Sequence, residues 1–410
     1  MSKPSKDRDI LRTLAGEIAD IAALPVHDEK RRMWRALNAL RPERPMVLVE
    51  EVPWNEIGLV LECEDAECRA YEQDLRRSLY RWKHFAADWI VEPFIAVPKA
   101  VHNTGFGIKA HVEYLATDPE NHIRAQHYEN VFQTDADLDK IQTPVVTHDT
   151  AETDRRLAVA RELFGGVIET RLVGFDPCYL TIWDPLSSWM GVEEALYSII
   201  DRPEYIHEIM ERLTRGTLSM LDQAEELDVL CKTQTWVHCT GALCNDLPQS
   251  GSDPEHPRLH DLWVRGMAQM FSTVSPEIFD EFELAYFKRL AERFGLSYYG
   301  CCEPLDDRID LLRTIPNLRR ISMTPWTNQQ RGAAAIGGDY VFSRKPNPAA
   351  VAGETFNEES VRVDLAETVR ICREHGCPCD FTLKDISTVR YDPQRLDRWT
   401  RIAMEVVEGS

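Results

Sequence analysis

Short apolar runs recur along this chain. Each gives way to a polar or aromatic turn and then to an amphipathic stretch. The runs are Met46–Val49, Trp89–Val91, Glu169–Phe175, Leu227–Val237, Ala268–Phe271, Leu296–Tyr299, Ile321–Met323, Tyr340–Phe342 and Asp380–Leu383. Between them, apolar residues fall at helical spacing, as in Val361, Leu365, Val369 and Cys372. Strands that alternate with helices predict a parallel sheet. The number of runs, the 410-residue length and the lack of a Gly-rich dinucleotide loop favour an α/β fold of the (β/α)8 TIM-barrel type over a doubly wound sheet. Residues 1–44 read as an N-terminal helical extension and 45–410 as the barrel. The polar stretch from His102 to Phe132 reads as an irregular excursion, or lid, over the barrel mouth.

A parallel barrel sorts its polar residues by direction. Those just after a strand face the active rim, and those just before it face the stable end. The run Leu296–Tyr299 leads through Gly300 into Cys301, Cys302 and Glu303. Two thiols and a carboxylate at a strand end suit zinc, although paired cysteines also pack as small apolar groups. His238 and Cys239 follow another run, Glu50 and Glu51 follow the first, and Lys384 and Asp385 follow the last. Zinc in a catalytic site takes three protein ligands and keeps one open position. Cys302, Cys301, Glu303 and His238 are therefore candidate ligands. Glu51, Lys384 and Asp385 are candidate catalytic groups, Lys384 beside Asp385 reading equally as a general acid or as an ion pair. Trp54, Trp183, Tyr299 and Trp326 fall near strand ends and are candidate walls for a flat or apolar substrate, or packing beneath the rim. Cys377 and Cys379 precede the last run and belong to the opposite, structural end.

Charge narrows the partners. The net charge is −21, which disfavours nucleic acid and anionic membrane surfaces, since phosphate binding needs clustered Lys and Arg. No apolar run approaches the ~18 residues of a membrane span. The N-terminal segment is amphipathic (Ile10, Leu11, Leu14, Ile18, Ile21) and lacks a signal-like apolar core. It reads as a surface or subunit-interface helix of a cytoplasmic protein, which leaves a homo-oligomer open. Eleven cysteines without regular spacing fit reduced thiols better than a disulfide framework.

The segment from Met267 to Asn347 resembles the uroporphyrinogen decarboxylase-like superfamily, in particular its cobalamin-dependent methyltransferase branch. The stretches that carry the likeness are AQMFSTVSPEIFDEFELAYFKRLAERFGLSYYGCCEPL, NLRRISMTPWTN and VFSRKPN, with LVGFDPCYLTIWD upstream. The resemblance extends with lower specificity from about Arg44 to the C-terminus, and it implies a (β/α)8 barrel. Two departures matter. Uroporphyrinogen decarboxylases carry an arginine-rich loop after the first strand, where this chain has the acidic Glu50-Glu51-Val52-Pro53-Trp54-Asn55-Glu56. A polyanionic porphyrinogen would be repelled there. The methyltransferase branch places a His-x-Cys pair after the strand aligned with Tyr298–Cys302 and a further cysteine near the last strand. Here Cys302 matches the first cysteine, Gly300 stands at the histidine position, and the late region reads Leu383-Lys384-Asp385-Ile386. A zinc site in this chain must therefore use a different ligand set.

The resemblance implies a zinc-dependent methyltransferase. It would move a methyl group between a small methylated substrate and a corrinoid on a separate protein, or a thiol acceptor. The alternatives are a metal-free decarboxylase or lyase on the same barrel and a non-catalytic binder of a small molecule or corrinoid protein.

Overall fold

The computed structural model describes residues 4–115 and 125–409. Its centre is a six-stranded parallel sheet: β1 (Met46–Val49), β2 (Trp263–Gly266), β3 (Leu296–Tyr299), β4 (Leu318–Met323), β5 (Val341–Arg344) and β6 (Cys379–Leu383). The spatial order is β1-β6-β5-β4-β3-β2, so the first strand pairs with the last. Met46 lies opposite Asp380 and Val49 opposite Leu383.

Further parallel pairing extends this arrangement. The strand Phe94–Pro98 pairs in parallel with Glu169–Val173, and Tyr179 forms a parallel bridge to Arg265 of β2. On the other side, the Asp88 amide donates to the Val47 carbonyl at 2.8 Å. Among the described residues no continuous ladder closes a ring, so the established architecture is mixed α/β around a six-stranded parallel sheet.

Three expected strands move. Trp89–Val91 is extended but unpaired, and the strand begins at Phe94. The helix Pro203–Glu226 is followed by an irregular stretch, in which Leu230 forms a parallel bridge to Phe175 and Trp236–Val237 pairs with Thr240–Gly241. Ala268–Phe271 is largely a 3-10 turn, because the strand lies earlier, at Trp263–Gly266. A fully buried arginine, Arg265, breaks that apolar run. The excursion after His102 is more regular than expected. Val101–Asn103 pairs with Val146–His148, and His111–Leu115 pairs with Ala125–Glu129, both antiparallel. The 116–124 part of the expected lid lies outside the described residues, as do 1–3 of the N-terminal extension and residue 410.

The two faces of the sheet differ in chemistry. Val47, Val49, Val264, Tyr299, Ile321, Met323, Phe342, Phe381 and Leu383 join the largest apolar cluster, beneath the outer helices. The opposite face carries Met46, Leu48 and Val341, but also Arg265, Tyr298, Arg320, Ser343, Asp380 and Thr382, all fully buried. Buried charge must find a partner. Arg320 Nη2 meets Asp380 Oδ2 at 2.5 Å, and its Nη1 donates to Asn38 Oδ1 at 2.6 Å.

Asn38 ends a helix of the N-terminal extension, Val26–Asn38. Its amide group donates to the carbonyls of Gly241 and Leu243, at 3.1 and 2.8 Å. Trp34 from the same helix lies against Gly241 so closely that a Cβ there would sit 2.5 Å from the indole. The extension thus holds the short hairpin Trp236–Gly241 against the polar face. Its first helix, Ser5–Ala22, buries Leu11, Leu14, Ala15, Ile18 and Ala22 in a cluster with Leu75, Leu163 and Phe164 of the same chain. The apolar stripe expected at a subunit contact is therefore covered internally. Among the described residues, no helix is long and apolar enough to cross a membrane.

Removing one half of the buried Arg320–Asp380 pair strands the other. Arg320→Met should cost on the order of 3–5 kcal/mol in urea denaturation, through an uncompensated Asp380. The double variant Arg320→Met/Asp380→Leu should recover most of that loss. A loss in the double variant equal to the sum of the Arg320→Met and Asp380→Leu losses would show that the pair is not coupled.

Candidate metal centre

His238 and Cys239 are the two turn residues of the hairpin that joins Trp236–Val237 to Thr240–Gly241. Cys239 takes a φ of +69°, a region that non-glycine residues avoid and that marks functional sites when the surroundings enforce it. Here three strand ends do so. The Cys239 amide donates to Glu50 Oε2 at 2.8 Å. Its carbonyl accepts from Lys345 Nζ and from Thr382 Oγ1, both at 2.9 Å.

The hairpin brings both side chains to Cys301, which follows β3. One donor atom each from His238, Cys239 and Cys301 all lie within 4.8 Å of one another. Cys239 and Cys301 are buried and His238 is half-buried. One imidazole and two thiols, with no fourth protein donor in the group, match the composition of a catalytic zinc site. Hydrogen bonds from Cys239, Cys302 and His238 favour the Cys301 thiolate and hold its pKa far below the usual thiol value. Burial drives the Cys239 thiol the other way.

Cations surround these sulfurs. Lys384 Nζ lies 3.3 Å from Cys301 Sγ and 3.5 Å from Cys302 Sγ, and it pairs with Asp385 at 2.5 Å. Burial opposes its charge, but the thiols Cys239, Cys301 and Cys302 more than offset that and raise its pKa. Arg265, fully buried, donates to the Gly300 carbonyl at 3.0 Å. Asp385 and Glu51 both sit at positive φ, +55° and +52°. The Asp385 amide donates to Glu51 Oε2 at 2.7 Å, and Glu51 Oε1 lies 3.8 Å from His238 Nε2. Burial, then the hydrogen bond with Asp385, raises the Glu51 pKa.

The candidates from sequence separate on this geometry. Cys301 and His238 converge, together with Cys239, and Glu51, Lys384 and Asp385 adjoin them. Cys302 stands outside the three-donor group, with Sγ 3.6 Å from Cys301 Sγ and 3.3 Å from Asp385 Oδ2. Glu303 lies outside that group. It is fully buried and accepts from the Ala268 and Cys301 amides at 3.1 and 3.0 Å, so it fixes the loop that carries Cys301.

Of the expected aromatic walls, Trp183 is buried against Phe271, with its indole N–H bonded to the Phe282 carbonyl. Tyr299 points into the outer layer and donates to Glu283 at 2.8 Å. Neither can touch a substrate at the mouth. Alternation along β3 turns Tyr299 outward, whereas Trp183 opens the short helix Trp183–Met190 and packs into the largest apolar cluster. Trp54 is half-buried between Arg77, Arg81 and Tyr80, and Trp326 is 73% exposed.

Sequence reasoning did not single out Arg265, Lys345 or Tyr179. Arg265 is a lone cation inside an apolar run, which carries no signal in the sequence, whereas Lys345 directly follows a strand and could have been found by its rim position. The Tyr179 ring stands edge-on to the His238 imidazole at 5.4 Å between centroids.

No protein-family model matches the chain, and no curated protein matches it. Among solved structures, a methyltransferase from Methanosarcina mazei superposes on 91% of this chain and 97% of its own. The TM-score is 0.49 and the sequence identity 11%.

Glu283, the partner of Tyr299, tests the outer layer. Burial first, then the nearby Glu303 and Asp184, push its pKa up to about 8, from an ordinary value of 4.5. Below pH 4.5 both folded and unfolded chains hold this proton. Between 4.5 and about 8 only the folded chain does, so stability falls as pH rises across that window. The loss from this group is on the order of 5 kcal/mol at most. Glu283→Gln should flatten this part of the stability–pH curve in urea denaturation. An unchanged slope would place the titration elsewhere.

Proposed function

We propose that this chain is a zinc-dependent methyltransferase on a uroporphyrinogen decarboxylase-like barrel. It moves a methyl group between a small methylated substrate and a corrinoid on a separate protein, or a thiol acceptor. The observation that carries this reading is the convergence of His238, Cys239 and Cys301 at the strand ends. The sequence resemblance over Met267–Asn347 supports it. So do the parallel segments that flank the central sheet, which fit a closed (β/α)8 barrel.

When bound, zinc would supply Lewis acidity toward the heteroatom that carries or receives the methyl group. The ligand set fits it: an imidazole and two thiols, with one position left open. The protein supplies the surroundings. Lys384 offsets the negative charge of the sulfurs from below the rim. Glu51 and Asp385 stand beside His238, where a proton can be held for a departing heteroatom. Glu303 and Glu50 hold the backbones of Cys301 and Cys239, which preorganises the ligands before metal arrives. The acidic loop Glu50–Glu56 favours a neutral or cationic methyl donor over an anionic one.

The continuous contact from Lys384 through Asp385 to Glu51 also favours a second reading, a metal-free decarboxylase or lyase. Metal content separates the two. Protein purified without chelator should carry about one zinc per chain. Cys239→Ser and Cys301→Ser should lose it, while Cys302→Ser should retain it. The loaded enzyme should then transfer methyl groups to reduced cobalamin, and the Cys301 variant should not. Absence of metal, with none taken up from micromolar zinc, would overturn the zinc mechanism and leave the carboxylate chemistry.

A further inference from the structure

A cavity of about 210 Å³ lies beside the metal centre, between the segment Tyr179–Pro185, the helix Pro203–Glu226 and the excursion residue Phe106. Leu213, Thr217 and Met220 of that helix form one side, and Leu180 and Ile182 form another. Among the described residues, no charged side chain lines it. The hydroxyls of Tyr179 and Thr181 both turn to Asp184, at 3.1 and 3.0 Å, so neither donates to an occupant. Tyr179 is the shared wall. It lines the cavity and stands against His238, one aromatic ring from the candidate ligands.

The roof is fitted to its seat. Phe106 lies between Gly105 and Gly107, both at positive φ, +62° and +77°. It rests on Gly216 in the middle of the helix, where a Cβ would come within 2.6 Å of its ring. A side chain at Gly216 would displace the ring that closes the cavity, and one at Gly105 or Gly107 would strain the backbone that carries it.

We propose that this cavity is the subsite for the group that bears the methyl, and that this group is a small neutral apolar one, a single ring or a branched alkyl. This rests on the methyl-transfer reading above. Size supports it, since a dry apolar cavity of about 150 Å³ holds benzene. The space beside Tyr179 therefore takes one ring with one or two small substituents. An ammonium or carboxylate carrier finds no partner there. Tyr179 sets the distance between the ring and the reacting heteroatom, which makes it a specificity residue.

The test uses the zinc-loaded full chain and anisole as probe, followed by ligand-observed NMR and calorimetry, independently of turnover. Binding should be in the millimolar range, as expected of so few atoms. Thr217→Phe, which fills the cavity, should weaken it at least about tenfold, with zinc content unchanged as the control for folding. Phe106→Ala removes the roof and should admit 2-methoxynaphthalene, which the wild type excludes. No detectable anisole binding, or binding that neither substitution alters, would overturn the proposal. Zinc content, measured on the same samples, reports the metal centre separately, so loss of one reading is distinguishable from loss of the other.

Discussion

The backbone of Cys239 is held at both its polar atoms, and the candidate centre depends on that. Glu50 from the end of β1 takes its amide, while Lys345 and Thr382 from β5 and β6 take its carbonyl. These contacts keep a cysteine in a left-handed conformation that a free hairpin would relax. They also fix the turn that aims His238 and Cys239 at Cys301. Outside the turn, Trp34 and Asn38 of the N-terminal extension clamp Gly241. Two ligands of the group are therefore positioned by residues far away in sequence, and the hairpin contributes little rigidity of its own.

The polar face of the sheet follows from the same need. Thiols that give up protons in a dry interior require cations close by. Lys384 touches Cys301 and Cys302 directly, and Arg265 and Lys345 lie fully buried around the same sulfurs. An apolar interior would leave the cysteines as inert thiols. The buried cations cost desolvation, and the Arg320–Asp380 pair shows how the lower part of the same face meets that cost. Charge here is paired at both levels, Arg320 with Asp380 in the lower part and Lys384 with Asp385 beside the sulfurs.

Much of the architecture was legible from hydrophobic pattern. β1, β3, the end of β4 and β6 fall where continuous apolar runs predict buried parallel strands. β2 was displaced because Arg265 interrupts its run, and nothing local announces that an arginine will be buried. The site was legible in part. Strand-end position brought out Cys301, His238, Glu51, Lys384 and Asp385. It could not choose between Cys302 and Cys239, because that choice depends on a hairpin crossing the sheet. Nor could it tell which face of its strand Tyr299 would occupy, or that Trp183 would open a helix and not end a strand.

The clamps on Cys239 also order events in time. Its hairpin and Cys301 leave the ribosome well before Lys345, Thr382 and Lys384, which hold the turn and face the sulfurs. During that interval the thiols lack their cations and the turn lacks its anchors. Nascent chains therefore expose ordinary cysteines, open to any passing oxidant or thiophilic ion. The surroundings of these sulfurs are complete only after β6 has docked.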